Sequence, residues 1–226
     1  MKLQEVLLEN KIEIHPVLSI REDQLCTLDF TSDNLDPQFL QVHDVESMQA
    51  YLDGVYLSKG KSIGIGGYLE RRVLYKRFTH FNQEGLEERD FHLGVDIWMP
   101  AGSEVFAPIP GRIHSFAIND NKGDYGGTII LEHKIYDDLV YTLYGHLSHL
   151  SLTDKSIGQT IEGGQNFAQL GDASENGGWA PHLHFQIIKD LQEWVGDYPG
   201  VCSEGDINYY SSNCPNPMLL IKCTAK

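Results

Sequence analysis

Basic residues are scarce in this chain of 226 residues: 17 lysines and arginines stand against 32 aspartates and glutamates, a formal net charge of −15. Such a chain is repelled by phosphate backbones and anionic membrane surfaces. No basic stripe interleaved with aromatics offsets this, so the expected partners exclude nucleic acid. No uninterrupted apolar run is long enough to span a bilayer, so no membrane span is expected. The first ten residues, Met1 to Asn10, lack the apolar core of a signal peptide. A cytoplasmic location is therefore expected, and a periplasmic or secreted one if the chain has been processed. The four cysteines (Cys26, Cys202, Cys214, Cys223) show no C-x-x-C spacing, which excludes a zinc knuckle or a redox pair; free thiols are the expectation. No H-E-x-x-H occurs, so a helical zinc motif with its glutamate base is excluded.

What is present is ordinary globular material, 41% hydrophobic and 22% charged. A chain of this size buries roughly 70% or more of its unfolded surface, so it needs no metal merely to fold. Any metal the sequence implies is expected to be catalytic. Glu5 to Asn10 suits a short helix ended before Pro16. From Asp44 to Ser58 the apolar residues Met48, Tyr51, Leu52, Val55 and Tyr56 recur at helical spacing, with Asp44 as N-cap and Gly60 as stop. From about Ser62 the texture is β. Val105 to Ala107, Thr128 to Leu131 and Leu139 to Tyr144 are rich in β-branched and aromatic residues, and turn clusters such as Asn119 to Asp124 separate them. No helical pattern intervenes, so antiparallel sheets are expected rather than a doubly wound parallel one. The tail after Asp190 carries Pro199, Pro215 and Pro217, which predicts an irregular wrap with a short helix around Ile207 to Ser211.

Two pairs of residues carry chemistry. His182 and His184 lie two apart in a β-rich stretch, which puts both imidazoles on one face and Leu183 and Phe185 on the other. Adjacent imidazoles suit an apolar core badly, since every ring nitrogen needs a partner. His92 and Asp96 lie four apart, and Gly94 with its β-branched neighbours argues against a helix there. On one strand the even spacing again gives one face, opposite Leu93, Val95 and Ile97. Three side chains from a His, His, Asp set, with one position open, match a catalytic zinc site. Zinc makes hydroxide available at neutral pH and polarises carbonyls. Without a glutamate base a histidine must manage the proton. His182 is placed for this, and His146, ending the alternating run Val140, Thr142, Tyr144, is a second candidate. His15, His43, His80, His114, His133 and His149 read as surface or hydrogen-bonded histidines. Asp137 and Asp138 read as a solvated hairpin turn.

Four motifs now resemble one family. Residues 91–111 (FHLGVDIWMPAGSEVFAPIPG) are similar to the H-x-G-x-D, P-x-G and V-x-A pattern of the lysostaphin/LytM-type zinc metallopeptidases. Tyr144 to Ser148 resembles their Y-x-H-L-S, residues 158–171 resemble the turn before their last motif, and Pro181 to Phe185 matches their P-H-L-H-F. The resemblance implies a mainly β fold, an antiparallel groove of the duplicated-hybrid-motif type. It also implies a zinc ion on His92, Asp96 and His184, with His146 and His182 as catalytic histidines. Arg72 maps onto an upstream arginine, expected at the substrate with Trp179, which stands where the family has small residues. The implied organisation is a partly helical extension over 1–61, a metallopeptidase domain over 62–190 and a tail over 191–226. The expected reaction is hydrolysis of peptide bonds in peptidoglycan peptides or in a narrow peptide substrate. The rivals are a metal-free scaffold or activator that binds a partner and a histidine phosphocarrier; Asp96 argues against the latter.

Overall fold

The structure is a computed structural model that describes residues 3, 5, 12–77, 87–135 and 138–224. Of the expected helix from Glu5 to Asn10 only Glu5 is among them, and His80 and Asp137 lie outside them. Twelve strands are described. The N-terminal half holds β1 (Leu25–Thr27), β2 (Ile63–Gly66), β3 (Arg89–His92), β4 (Val95–Trp98), β5 (Glu104–Phe106) and β6 (Gly111–Asn119). Then follow β7 (Gly126–Ile135), β8 (Asp138–Leu147), β9 (Thr160–Ile161), β10 (Asn166–Gln169), β11 (His182–Ile188) and β12 (Val201–Ser203). Eight of them form one sheet in the order β1-β2-β4-β11-β8-β7-β6-β9, while β10 pairs with β5 and β12 with β3. All pairings are antiparallel except β1 with β2, which are parallel. The sequence reading missed β1, a strand of three residues inside the extension. Helices α1 (Pro37–Leu40) and α2 (Val45–Lys59) carry the chain from β1 back to the start of β2, which makes that pair parallel.

Helix α2 forms for the reasons its sequence gives. The Asp44 carboxylate accepts the backbone N–H of Ser47 at 2.8 Å, and Gly60 ends the helix at φ +61. Met48, Tyr51 and Leu52 are its buried residues, packed with Phe30, Phe39 and Trp98 in a cluster that joins the N-terminal block to β4. The expected tail helix is α4 (Ile207–Asn213), which follows α3 (Leu150–Thr153).

The central strand β11 alternates as expected. Leu183, Phe185 and Ile187 enter the main core with Val95, Ile97, Ile129, Leu131 and Tyr144, and each such side chain contributes about 1.5–3 kcal/mol. His182, His184 and Gln186 occupy the opposite face. The Thr224 N–H donates to Ile20 O at 2.6 Å and so ties the tail to the N-terminal block. No helix among the described residues is long and apolar enough to cross a membrane. All four cysteines are free.

Candidate metal centre

The register of three strands builds the centre. His184 on β11 lies opposite Asp96 on β4, and Asp96 lies opposite Gly66 on β2; one step along, His182 faces Trp98. Directly opposed residues of antiparallel strands share a face, so Asp96, Trp98, His182 and His184 all project to the same side. His92 arrives differently from the expectation of one strand. The chain breaks at Leu93 and Gly94, and β3 leaves the main sheet to pair with β12. Leu93 consequently packs with Tyr198 and Cys202, whereas Val95 and Ile97 enter the main core.

His146 also departs from its expected route. Thr142 and Tyr144 share a face, but it is the buried one, where the Thr142 hydroxyl meets the Tyr144 hydroxyl at 3.1 Å and Tyr144 packs in the core. His146 reaches the centre because its backbone adopts φ +63 next to a register shift between β7 and β8. This left-handed conformation is costly for a residue with a Cβ. It is held by the His146 N–H on Tyr125 O at 2.7 Å.

His92, Asp96 and His184 form the one group among the described residues that offers three potential metal-ligand atoms within 4.8 Å of one another. His92 Nε2 lies 3.0 Å from His184 Nδ1 and 3.2 Å from Asp96 Oδ1, and His184 Nδ1 lies 3.0 Å from Asp96 Oδ1. Ligand atoms at zinc's usual bond lengths of about 2.0–2.1 Å stand roughly 3.3 Å apart in a tetrahedron, so this triangle is of the right size. The outward ring nitrogens fix the tautomers. His92 Nδ1 donates to Gly67 O at 3.0 Å, and His184 Nε2 donates to Gln186 Oε1 at 2.9 Å. The Gln186 amide orientation follows from its own nitrogen, which donates to Pro199 O at 3.1 Å. Both imidazoles therefore turn a lone pair toward the other and toward a carboxylate oxygen. Three acceptors facing one point repel unless a cation sits among them, and hydrogen-bonded outer nitrogens are the usual support of metal-bound histidine.

The surroundings are dry. The five polar groups are between 1% and 5% exposed: His92 1%, Asp96 3%, His184 3%, His182 4% and His146 5%. Burial, followed by the charge of Arg72, holds His92 down to about 4. Burial disfavours the Asp96 anion, but the field of its neighbours outweighs it, with the Arg72 guanidinium hydrogen-bonded to Oδ2, and keeps the carboxyl well below its ordinary range. Burial also lowers His182, and burial with the neighbouring His182 lowers His146 further. Both are thus neutral at neutral pH. His182 Nδ1 donates to Ala180 O at 2.8 Å and His146 Nδ1 to Asn176 O at 2.8 Å, which leaves each Nε2 as an acceptor. Their ring centroids are 4.1 Å apart.

A cavity of about 270 Å³ opens over these groups. Phe30 and Met48 line it from the N-terminal block, Trp179 from the loop before β11, and Trp194 and residues 197–201 from the tail. Trp179 stands beside the centre, its ring 6.3 Å from those of His146 and His182. Arg72, expected at the substrate, lines the cavity too, but its guanidinium is enclosed and turned to Asp96 and Glu70. None of His15, His43, His114, His133 and His149 belongs to the three-ligand group. Gln186 and Tyr125, which touch His184, and Asn176, which holds His146, were not singled out from sequence; only Gln186, two residues beyond His184 on the same face, carried a legible signal.

No curated protein matches the chain. Among solved structures, the catalytic domain of the antimicrobial peptidase lysostaphin from Staphylococcus simulans is similar at 26% identity, covering 54% of this chain and 80% of that one, with a TM-score of 0.37. The catalytic domain of a mutant of the prophage-encoded M23 protein EnpA from Enterococcus faecalis is similar at 24% identity, over 53% and 85% of the two chains, with a TM-score of 0.37. A zinc containing peptidase from Vibrio cholerae is similar at 27% identity, over 43% and 27%, with a TM-score of 0.35. Residues 90–195, which carry His92, Asp96, His146, His182 and His184, match peptidase family M23, and the resemblance read from the four motifs is a resemblance to that family.

Proposed function

We propose that this chain is a zinc-dependent metallo-endopeptidase, with His92, Asp96 and His184 as metal ligands and His182 and His146 as the groups that move protons. The observation that carries the reading is the inward-facing triangle of two imidazole lone pairs and one carboxylate oxygen, 3.0–3.2 Å on each edge, with both outer ring nitrogens already donating. Zinc, when bound there, would acidify a water molecule and polarise the scissile carbonyl.

The protein's own residues supply the rest. His182 and His146 are neutral, and each has Nε2 free to accept a proton from the attacking water. The imidazolium so formed then passes that proton to the leaving amine as the C–N bond breaks, which restores the neutral ring. Their hydrogen bonds to Ala180 O and Asn176 O hold the accepting nitrogens in place. The dry surroundings strengthen each electrostatic interaction made there. Access is narrow: the N-terminal block, Trp179 and the tail segment 194–201 wall the cavity, whose volume lies at the low end for ligand sites. This supports a substrate of short or loosely held peptide rather than a cross-linked wall polymer.

The test combines elemental analysis of the purified protein with cleavage assays on a mixed peptide library and on purified peptidoglycan, each with and without chelator. One zinc per chain and chelator-sensitive cleavage of library peptides are expected. Protein prepared at neutral pH without chelator that carries no transition metal and takes none up would overturn the reading.

A further inference from the structure

Two chains of contacts run from Phe30, a fully buried residue of the N-terminal block outside the family-matched segment, to the two halves of the centre. The first is polar. The Phe30 N–H donates to Glu70 Oε1 at 3.1 Å, Glu70 Oε2 accepts from Arg72 Nε at 2.8 Å, and Arg72 Nη1 donates to Asp96 Oδ2 and, at 3.0 Å, to the Tyr75 hydroxyl. The second is aromatic. The Phe30 ring packs on Trp98 with centroids 5.0 Å apart, and Trp98 stacks on His182 at 5.1 Å and 17°. Arg72 itself sits in an aromatic box, its guanidinium carbon 5.3 Å from the Phe30 ring and 5.8 Å from those of Tyr75 and Trp98.

We propose that Phe30, Glu70 and Arg72 are positioning residues, through which the N-terminal block orients Asp96 toward the metal site and His182 toward the substrate. The proposal rests on the zinc-peptidase reading above. A buried Glu–Arg–Asp arrangement does little for stability, because desolvation offsets the attraction. Here it also leaves Arg72 Nη2 without a hydrogen-bond partner among the described residues, a cost of about 1–3 kcal/mol. What it does accomplish is local. An aspartate carboxylate rotates through a broad, two-fold torsional well. With Arg72 on Oδ2, Asp96 presents Oδ1 to His92 and His184 and cannot turn. Gly66 makes room for this: a Cβ there would stand 2.7 Å from Arg72 Nη2 and 2.9 Å from the Trp98 ring. His182 has one hydrogen bond to fix it, and the Trp98 face, backed by Phe30, fixes the plane of the ring.

The experiment uses the full chain and four proteins: the parent, Arg72→Lys, Phe30→Leu and, for assignment, His182→Ala. Lysine keeps the charge but not the planar fork that meets Glu70, Tyr75 and Asp96 together. Zinc affinity is measured by competition with a chromophoric chelator, the geometry by the visible spectrum of the cobalt-substituted protein, and folding by the thermal melt. For Arg72→Lys we expect a cooperative melt, a 10- to 100-fold loss of zinc affinity and an altered cobalt spectrum. For Phe30→Leu we expect zinc affinity within threefold of the parent but a broadened His182 ring signal in histidine-labelled NMR spectra, identified by its loss in His182→Ala. A folded Arg72→Lys with the parent's affinity and spectrum would overturn the positioning of Asp96. An unchanged His182 signal in Phe30→Leu would overturn that of His182, and this arm decides even where Arg72→Lys fails to fold. A parent that binds no zinc would overturn the peptidase reading and this proposal with it.

Discussion

Gly94, between the two ligands His92 and Asp96, tests the geometry of the centre most directly. A Cβ built there would lie 2.6 Å from Cε1 and Nε2 of His184 and 2.9 Å from the backbone oxygen of Phe185. Ordinary carbon contacts need about 3.5–4.0 Å, so in Gly94→Ala the ring must retreat by roughly 1 Å. It has nowhere equivalent to go. Nε2 is held by Gln186 at 2.9 Å, and Nδ1 stands 3.0 Å from both His92 Nε2 and Asp96 Oδ1. Metal sites tolerate only about 0.2 Å in ligand distance. Gly94→Ala should therefore lose zinc affinity by at least tenfold, about 1.4 kcal/mol, on top of an overpacking cost to the fold of about 1–3 kcal/mol. Gly111→Ala is the control, since its Cβ would meet His133 Nδ1 at 2.6 Å and Glu132 O at 2.7 Å, far along the sheet. It should cost similar stability and leave zinc binding unchanged. The assays are thermal melts and chelator competition on both variants. A cooperatively folded Gly94→Ala that binds zinc as tightly as the parent would show that His184 is not held where the argument needs it.

The two histidines of β11 should fail differently. His184→Ala should lose the metal because two ligands hold zinc weakly, whereas His182→Ala should keep it and lose turnover; elemental analysis beside a peptide assay separates them, and the reverse pattern would mean the roles are exchanged. His133 should make stability depend on pH. Burial holds it at about 4 against an ordinary 6.5, so its contribution is complete above about pH 6.5 and is lost as the pH falls toward 4. The loss from this one side chain is about 3 kcal/mol. In His133→Asn, melts recorded across that window should fall less steeply than the parent's, and parallel curves would refute the assignment. Trp179→Ala should widen the cavity and raise the rate on longer library peptides relative to short ones, and an unchanged length preference would show that Trp179 does not limit access.

Local patterns were legible in the sequence and long-range geometry was not. The alternation of β11 told which side Leu183 and Phe185 would take, because a half-buried strand imposes period two. The stripe and caps of α2 were readable for the same kind of reason. Face arguments failed where the backbone leaves its regular path. His92 and Asp96 belong to two strands parted at Gly94, and His146 turns to the site through φ +63 against the alternation of Thr142 and Tyr144. The four motifs nevertheless pointed to five positions that lie close together in the structure, since the resemblance carries the irregularities with it. The supporting groups Glu70 and Asn176 are defined by partners far along the chain, which no local pattern records. The strand β1 was hidden because three residues carry too little period, and it exists through its pairing with β2.

The cavity is walled by Phe30 and Met48 from the N-terminal block and by residues 197–201 from the tail, and a hydrogen bond from the Thr224 N–H to Ile20 O ties those two segments together. Closing so long a loop is among the slower and later events of folding. The sheet that carries His182 and His184 draws its strands from β1 to β11, yet its cavity stays unfinished until the N-terminal block and the tail meet. Competence would then arrive as one late step of folding, timed by the meeting of the Ile20 and Thr224 segments rather than by the pairing of the strands that carry the ligands.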